Sequence, residues 1–373
     1  MESDLTGTLD EAYQRLHDTG PEFDGWLSNH GPMAAEAMVR HGHGDRVHRW
    51  LDVYMRRLEE FPRGTGPIGS GWQEALGDPR RIADWTVYFR REVAGQPWRE
   101  TLGTWWPRLL PGVAASATHG VIRVGHAVRA LMQDGDDADH RTELAHGLAY
   151  WAARWQPVPG GPATELPRIT APTVAGEPAA AGAWGAAGAG LTAGDALAAV
   201  PRIPDQSGGF RDRFPRLAGL PGWPAALAAP QIPASPEALQ SWLAGLVDAA
   251  VARYLRYGHG DAVMLVHSAT APNAVLRALP ALDRQLWAPS VAASWAAAAA
   301  LTAIYAPATA AGRAGLPDPP TGPQAAQETF ARAVEHGDEH VIKFADTATD
   351  VYARTGDTGA LAAAIRATQL VAN

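Results

Sequence analysis

Between Leu9 and Leu58 the apolar residues recur at intervals of three and four: Ala34, Ala37 and Met38 in one stretch, then Val47, Trp50, Leu51, Tyr54 and Leu58 in the next. That spacing gathers them on one face of an α-helix, whereas a strand alternates with a period of two. Two amphipathic helices follow. Between them stands Arg40-His41-Gly42-His43-Gly44-Asp45, in which glycine ends one helix and aspartate caps the next. The same punctuation returns as Arg256-Tyr257-Gly258-His259-Gly260-Asp261 and, more loosely, as Ala353-Arg354-Thr355-Gly356-Asp357. Alternating runs rich in β-branched and aromatic residues are scarce, and no strand leads through a glycine-rich turn into a helix. The expectation is an all-α fold of helical hairpins packed as a bundle or array.

Residues 1–155 form a first helical half and residues 237–373 a second. Residues 156–236, dense in Pro, Gly and Ala, read as a long connection packed on the body. Gly182, Gly185, Gly188 and Gly190 within it have neither the upstream strand nor the Gly-Lys-Ser/Thr ending of a phosphate loop. The two halves echo one another: His119 and His267 each precede an Arg-Ala-Leu by ten residues, through Arg129 and Arg277. His119 and His267 therefore occupy equivalent points of two equivalent helices.

Composition narrows the function classes. With 46% hydrophobic and 19% charged residues over 373 positions, the chain can bury a sizeable core. It has no cysteine, which removes disulfides, zinc ribbons, iron-sulfur clusters and thiolate nucleophiles together. A net charge of -8 is a poor footprint for a polyanion, so no nucleic-acid partner is expected. The N-terminus has no secretory pattern, and the longest apolar stretch, Val291 to Ile304, is too short for a membrane span. A soluble, cytoplasmic protein is the expectation.

Thirteen histidines are many for this length, and several sit in apolar helical surroundings. His119 lies among Ala, Val and Ile; His267 follows Val263, Leu265 and Val266; His30 opens a helix; His340 stands three residues before Lys343, on the same helix face. Taken singly, each is an ordinary hydrogen-bonded core residue. Taken together, four imidazoles on separate helices suit iron, copper, nickel or zinc, and bundle cores are habitual metal sites. His41 and His43 lie in a glycine-rich turn and read as solvated. His126, seven residues beyond His119, is about 10.5 Å further along the helix, a distance that places it in the substrate pocket or behind the ligands.

Lys343 is the only lysine among 31 basic residues, flanked by Val341, Ile342, Phe344 and Ala345. Burial lowers an amine's pKa, and a neutral amine can add carbon dioxide to give an anionic carbamate, which arginine cannot imitate. A snorkelling lysine is the plain alternative.

Five segments carry a resemblance: Asn29-His30-Gly31-Pro32, Gly69-Ser70-Gly71-Trp72 through Asp84-Trp85, Trp105-Trp106-Pro107-Arg108-Leu109-Leu110-Pro111-Gly112, Thr118-His119-Gly120-Val121-Ile122-Arg123, and His340-Val341-Ile342-Lys343. Together they resemble the questin oxidase-like family over roughly Phe23 to Gly147 and Tyr254 to Gly356. Members act on anthraquinones and related aromatic polyketides in secondary metabolism, opening a ring oxidatively as dioxygenases or Baeyer-Villiger-type monooxygenases. The resemblance implies a non-heme ferrous site shared by both halves, with four histidines and a carboxylated lysine. Residue by residue these are His30, His119, His340 and Lys343, with His267 as the fourth imidazole and His126 its competitor. Substrate and dioxygen are the implied partners.

The missing dinucleotide fingerprint agrees with iron rather than flavin or NADPH. Trp72, Trp85, Trp98, Trp105 and Trp106 could line a flat aromatic slot or simply pack the core. His126 and Arg123 are the candidate catalytic residues, and Arg123 and Arg108 could meet phenolate or carboxylate groups of a substrate, or equally form salt bridges. The alternative function is a non-catalytic α-helical scaffold or small-aromatic binding protein.

Overall fold

The computed structural model describes residues 2–161 and 191–372. The first half of the chain strings together α1 (Glu2–His17), α2 (Gly31–Arg40), α3 (Gly44–Tyr54), α4 (Ile82–Gly95), α5 (Trp98–Leu109), α6 (His119–Gln133) and α7 (Ala138–Ala153). Three short helices, α8 (Ala193–Ala199), α9 (Phe210–Arg213) and α10 (Trp223–Ala228), occupy the described part of the connection. The second half comprises α11 (Pro236–Tyr257), α12 (Ala262–Leu265), α13 (His267–Ala278), α14 (Trp287–Tyr305), α15 (Ala325–His336), α16 (Glu339–Thr355) and α17 (Thr358–Leu370). The fold is all-α and bundled. The glycine run from Gly182 to Gly190 lies outside the described residues.

One small departure from the helical pattern borders the site. β1 (Glu22–Phe23) pairs antiparallel with β2 (Leu27–Ser28), turning through Asp24 and Gly25, both at positive φ. An Asp-Gly pair supports that left-handed turn, but strands of two residues are too short for a period to show in the sequence. Of the three expected aspartate caps, two are present. Asp261 accepts from the Met264 N–H and Asp357 from the Gly359 N–H. Asp45 is an uncapping first-turn residue of α3, whose N-cap is His43.

Four helices make the centre: α2 packs on α6 and α16, and α13 packs on the same two. The first and second halves thus meet in one closed ring. Every residue of α6 from His119 to Leu131 is buried. The helix lies tight against α13 at Gly125, where an added Cβ would lie 2.5 Å from the Ala274 Cβ and 2.7 Å from its Cα. A Cα and the methyl fixed to it cannot swing aside. Gly125→Ala is expected to wedge the two helices apart at a cost of about 1–3 kcal/mol, read as a lowered midpoint in denaturant; an unchanged midpoint would contradict this crossing.

α14 is apolar all round, and the span Arg284–Tyr305 is long and apolar enough to cross a membrane, with 83% of its window buried inside the protein. It is a core helix that α10, α11 and α13 cover. Large aromatics fill the first half. Trp85 and Trp72 meet the Trp105 ring edge-on at 5.4 and 5.0 Å, and the buried Trp106 donates to Ser290 Oγ on α14. With Trp98, these five tryptophans are core packing rather than a substrate slot.

Candidate metal centre

The four ring helices all point their N-termini at one place. α6 and α13 begin on His119 and His267, α16 begins one residue before His340, and His30 immediately precedes α2. Local chemistry sets each start. Pro32 pre-forms the first turn of α2, and Asp338 caps α16 by accepting from the His340 and Val341 N–H groups. Ahead of α6, Ser116, Ala117 and Thr118 run through φ values of 45°, 54° and 76°. Three successive non-glycine residues in the left-handed region are held only where the surroundings over-determine them.

One ring nitrogen from each of His30, His119, His267 and His340 falls within 4.8 Å of the others; the first three residues are buried and the His340 side chain is 11% exposed. His119 Nε2 lies 2.7 Å from His30 Nε2 and 2.9 Å from His267 Nε2. The other ring nitrogens decide what those contacts are. His119 Nδ1 is 2.5 Å from the Ser116 carbonyl and His267 Nδ1 is 3.2 Å from the Met264 carbonyl. A carbonyl only accepts, so both rings carry their proton on Nδ1 and face each other through bare Nε2 lone pairs. Burial first, with Lys343 and neighbouring rings behind it, holds His30, His119 and His267 well below the usual histidine range. The positive ends of four helices add to that. Neutral rings whose lone pairs converge fit a cation bound between them.

Around the rings stand carboxylates. His30 Nδ1 lies 3.6 Å from Glu339 Oε1, and His340 Nδ1 lies 3.4 Å from Asp338 Oδ1. Glu339 is in turn held at 2.6 Å by Arg57. Neither histidine contact is a hydrogen bond, so these carboxylates bear on the two rings through their charge and do not set the tautomer. Lys343 is 1% exposed, its amine has no hydrogen-bond partner, and burial lowers its pKa to about 7. The buried histidine cluster can hold a metal ion.

The site opens on a cleft of about 750 Å³ lined by the four histidines. Its other walls include Trp26, Trp155, Phe210, Met264 and Tyr305. The connection contributes Gly209, Phe210 and Arg211, so it roofs the cleft. Sequence reasoning missed these residues: Trp26 sits in the two-residue-strand hairpin and Phe210 in a four-residue helix, where no periodicity can form.

Two expected site residues lie elsewhere. His126 turns its Nδ1 to Glu36 Oε2 at 2.8 Å, and Arg123 makes a buried two-bond pair with Glu143; neither lines the cleft. The helix rise that separates His126 from His119 carries it into a different polar cluster. Arg108 lies over the Trp72 and Trp105 rings, also away from the cleft. Glu36, His126 and Asp346 also form a compact group, but the Arg129 guanidinium fills it, bonding Glu36 at 2.7 Å and Asp346 at 3.0 Å. His41, read as a solvated turn residue, bonds Asp346 at 3.0 Å and stacks on Phe330.

The ring has an internal two-fold pattern. His30 precedes Glu36 by the same six residues that separate His340 from Asp346, as His119 and His267 precede Arg129 and Arg277. Lys343 breaks the pattern, its counterpart on α2 being Met33. No family model matches this chain and no curated protein does, so the likeness to the questin oxidase-like family rests on the quoted motifs alone.

Proposed function

We propose that the chain is a non-heme iron-dependent oxygenase that oxidatively cleaves a ring of an anthraquinone-like aromatic polyketide in secondary metabolism. The observation that carries this is the pair of bare, converging Nε2 atoms on His119 and His267, beside a partnerless buried amine, at the end of an aromatic-walled cleft. His30, His119, His267 and His340 would hold the ion, and Lys343, carrying a carboxyl group on its amine, would complete the set. When bound, ferrous iron supplies the electrons and orbitals that let triplet dioxygen react with a singlet ring. The residues of the chain do the rest. Ser116 and Met264 keep the His119 and His267 protons on Nδ1. Trp26, Trp155, Phe210 and Tyr305 would give a polycyclic ring an aromatic surround, with Arg211 over the Trp26 ring and Arg213 over the Tyr305 ring.

Metal analysis of protein purified without added iron tests the reading. About one iron per chain is expected, lost in His119→Ala and His267→Ala and kept in His126→Ala, measured at limiting iron because outer groups alone can change affinity 10–100-fold. Dioxygen uptake with a hydroxyanthraquinone is the activity readout. A fully folded, metal-free chain that binds the aromatic without consuming dioxygen would instead support the non-catalytic binding protein.

A further inference from the structure

One stretch of the cleft wall carries three hydroxyls in mutual contact. Ser28 Oγ lies 2.7 Å from Tyr150 Oη and 3.1 Å from Ser116 Oγ, and Tyr150 Oη lies 2.8 Å from Ser116 Oγ. Ser28 and Ser116 line the cleft, while Tyr150 is 2% exposed behind them. A fourth contact runs from Tyr150 Oη to Glu22 Oε1 at 3.1 Å, and Arg154 binds both oxygens of that carboxylate. An ionised carboxylate only accepts, so the three hydroxyl protons must serve four contacts, the three sides of the triangle and the one to Glu22. One contact is left with two oxygens facing each other and no hydrogen between them. The cluster is short of a donor, and its open face is the cleft.

We infer that Ser28, Ser116 and Tyr150, backed by Glu22, form a subsite that accepts a phenolic O–H of the ring bound in the cleft. The inference rests on the aromatic-substrate reading of the cleft and specifies it: the ligand must bring a hydroxyl, because a quinone carbonyl is another acceptor and leaves the hydrogen deficit in place. The left-handed run of Ser116, Ala117 and Thr118 gives an independent sign that this wall is built for function. It turns Ser116 Oγ into the triangle while the Ser116 carbonyl receives His119 Nδ1. A hydroxyl seated on Ser116 is therefore registered against the imidazole cluster through one residue.

Two probes, 2,6-dihydroxyanthraquinone, whose hydroxyls lie too far from the quinone carbonyls to bond them internally, and its dimethyl ether, separate the possibilities when titrated without dioxygen against the tryptophan fluorescence of the purified protein. The dihydroxy compound is expected to bind about tenfold tighter than the ether, the worth of roughly one well-made hydrogen bond. Ser116→Ala and Tyr150→Phe should shrink that preference to about twofold or less while leaving ether binding as it was, which also shows that each variant is folded. An ether bound as tightly as the phenol, a preference untouched by Ser116→Ala, or binding of neither probe overturns the subsite. Dioxygen uptake is then read on the same protein. A preserved phenol preference without uptake refutes the oxygenase and leaves the subsite standing.

Discussion

Replacing Lys343 with arginine, the basic residue this chain uses everywhere else, is expected to empty the metal site and abolish turnover. The side chain leaves α16 one turn beyond His340, among Val341, Ile342, Phe344 and Ala345, all fully buried. Burial pushes its pKa down to about 7 against the raising effect of Glu339 and Asp338, so much of the amine is neutral near pH 7. A neutral amine can form an N–C bond to carbon dioxide and release a proton, leaving a carbamate oxygen as an anionic ligand at the positive ends of four helices. Arginine neither sheds its proton nor takes up carbon dioxide. Buried without a carboxylate partner, it should also destabilise the fold by about 3 kcal/mol or more. Lys343→Met isolates the chemistry from the fold, since methionine is what α2 carries at the matching position, Met33. That variant is expected to melt no lower than the parent in metal-free form, yet to hold no iron and consume no dioxygen. Lys343→Ala should lose iron too and regain part of it in millimolar acetate or formate, which can occupy the vacated ligand position. Full iron content and turnover in Lys343→Met would remove the lysine from the ligand set.

The residues that show how far the sequence can be read are those of the central ring. Helical periodicity and the glycine turns were sufficient for the all-α fold, and the His119/His267 echo pointed to two equivalent helices that the structure indeed packs against each other. The same echo extends to α2 and α16, but there the matched residues are Glu36 and Asp346 in otherwise unlike helices, so the sequence hides it. Core packing, one of the two readings open for the first-half tryptophans, is what the structure has; their number alone cannot tell a residue whose helix face turns inward, such as Trp105, from one placed by a short turn, such as Trp26. Arg123 looked available for a substrate because its partner, Glu143, stands on another helix. The hydroxyl cluster was invisible for the same reason: Ser28, Ser116 and Tyr150 are brought together by tertiary packing and by three non-glycine residues in a conformation their identities do not announce.

Asp346→Ala is expected to cost about 3–5 kcal/mol and to weaken iron binding from a distance. The carboxylate is fully buried and accepts from Arg129 at 3.0 Å on each oxygen, from His41 at 3.0 Å and from Arg277 at 2.7 Å. Arg129 and Arg277 themselves are 5% and 9% exposed, so removing the acid leaves Arg129 to Glu36, which Arg40 and His126 share, and Arg277 to Asp350, which is 36% exposed. These bonds tie α6, α13 and α16 together, and Arg129 carries the tie to α2 through Glu36. They are the same four helices that aim the imidazoles. The pH dependence has a definite sign. Burial raises the Asp346 pKa, but Arg129 and Arg277 override it and hold the group well below the usual carboxylate range; Glu36 is lowered likewise, by Arg129 and His126. Carboxylates depressed on folding contribute fully above their unfolded pKa, about 4, and lose that contribution as pH falls through the folded value. Melting of the parent protein should therefore drop steeply below about pH 4, and the Asp346→Ala variant should start lower and fall less across that window. Equal melting of the two proteins at pH 7 would mean that the cluster is not what holds the four helix ends, and the imidazole geometry would then need another support.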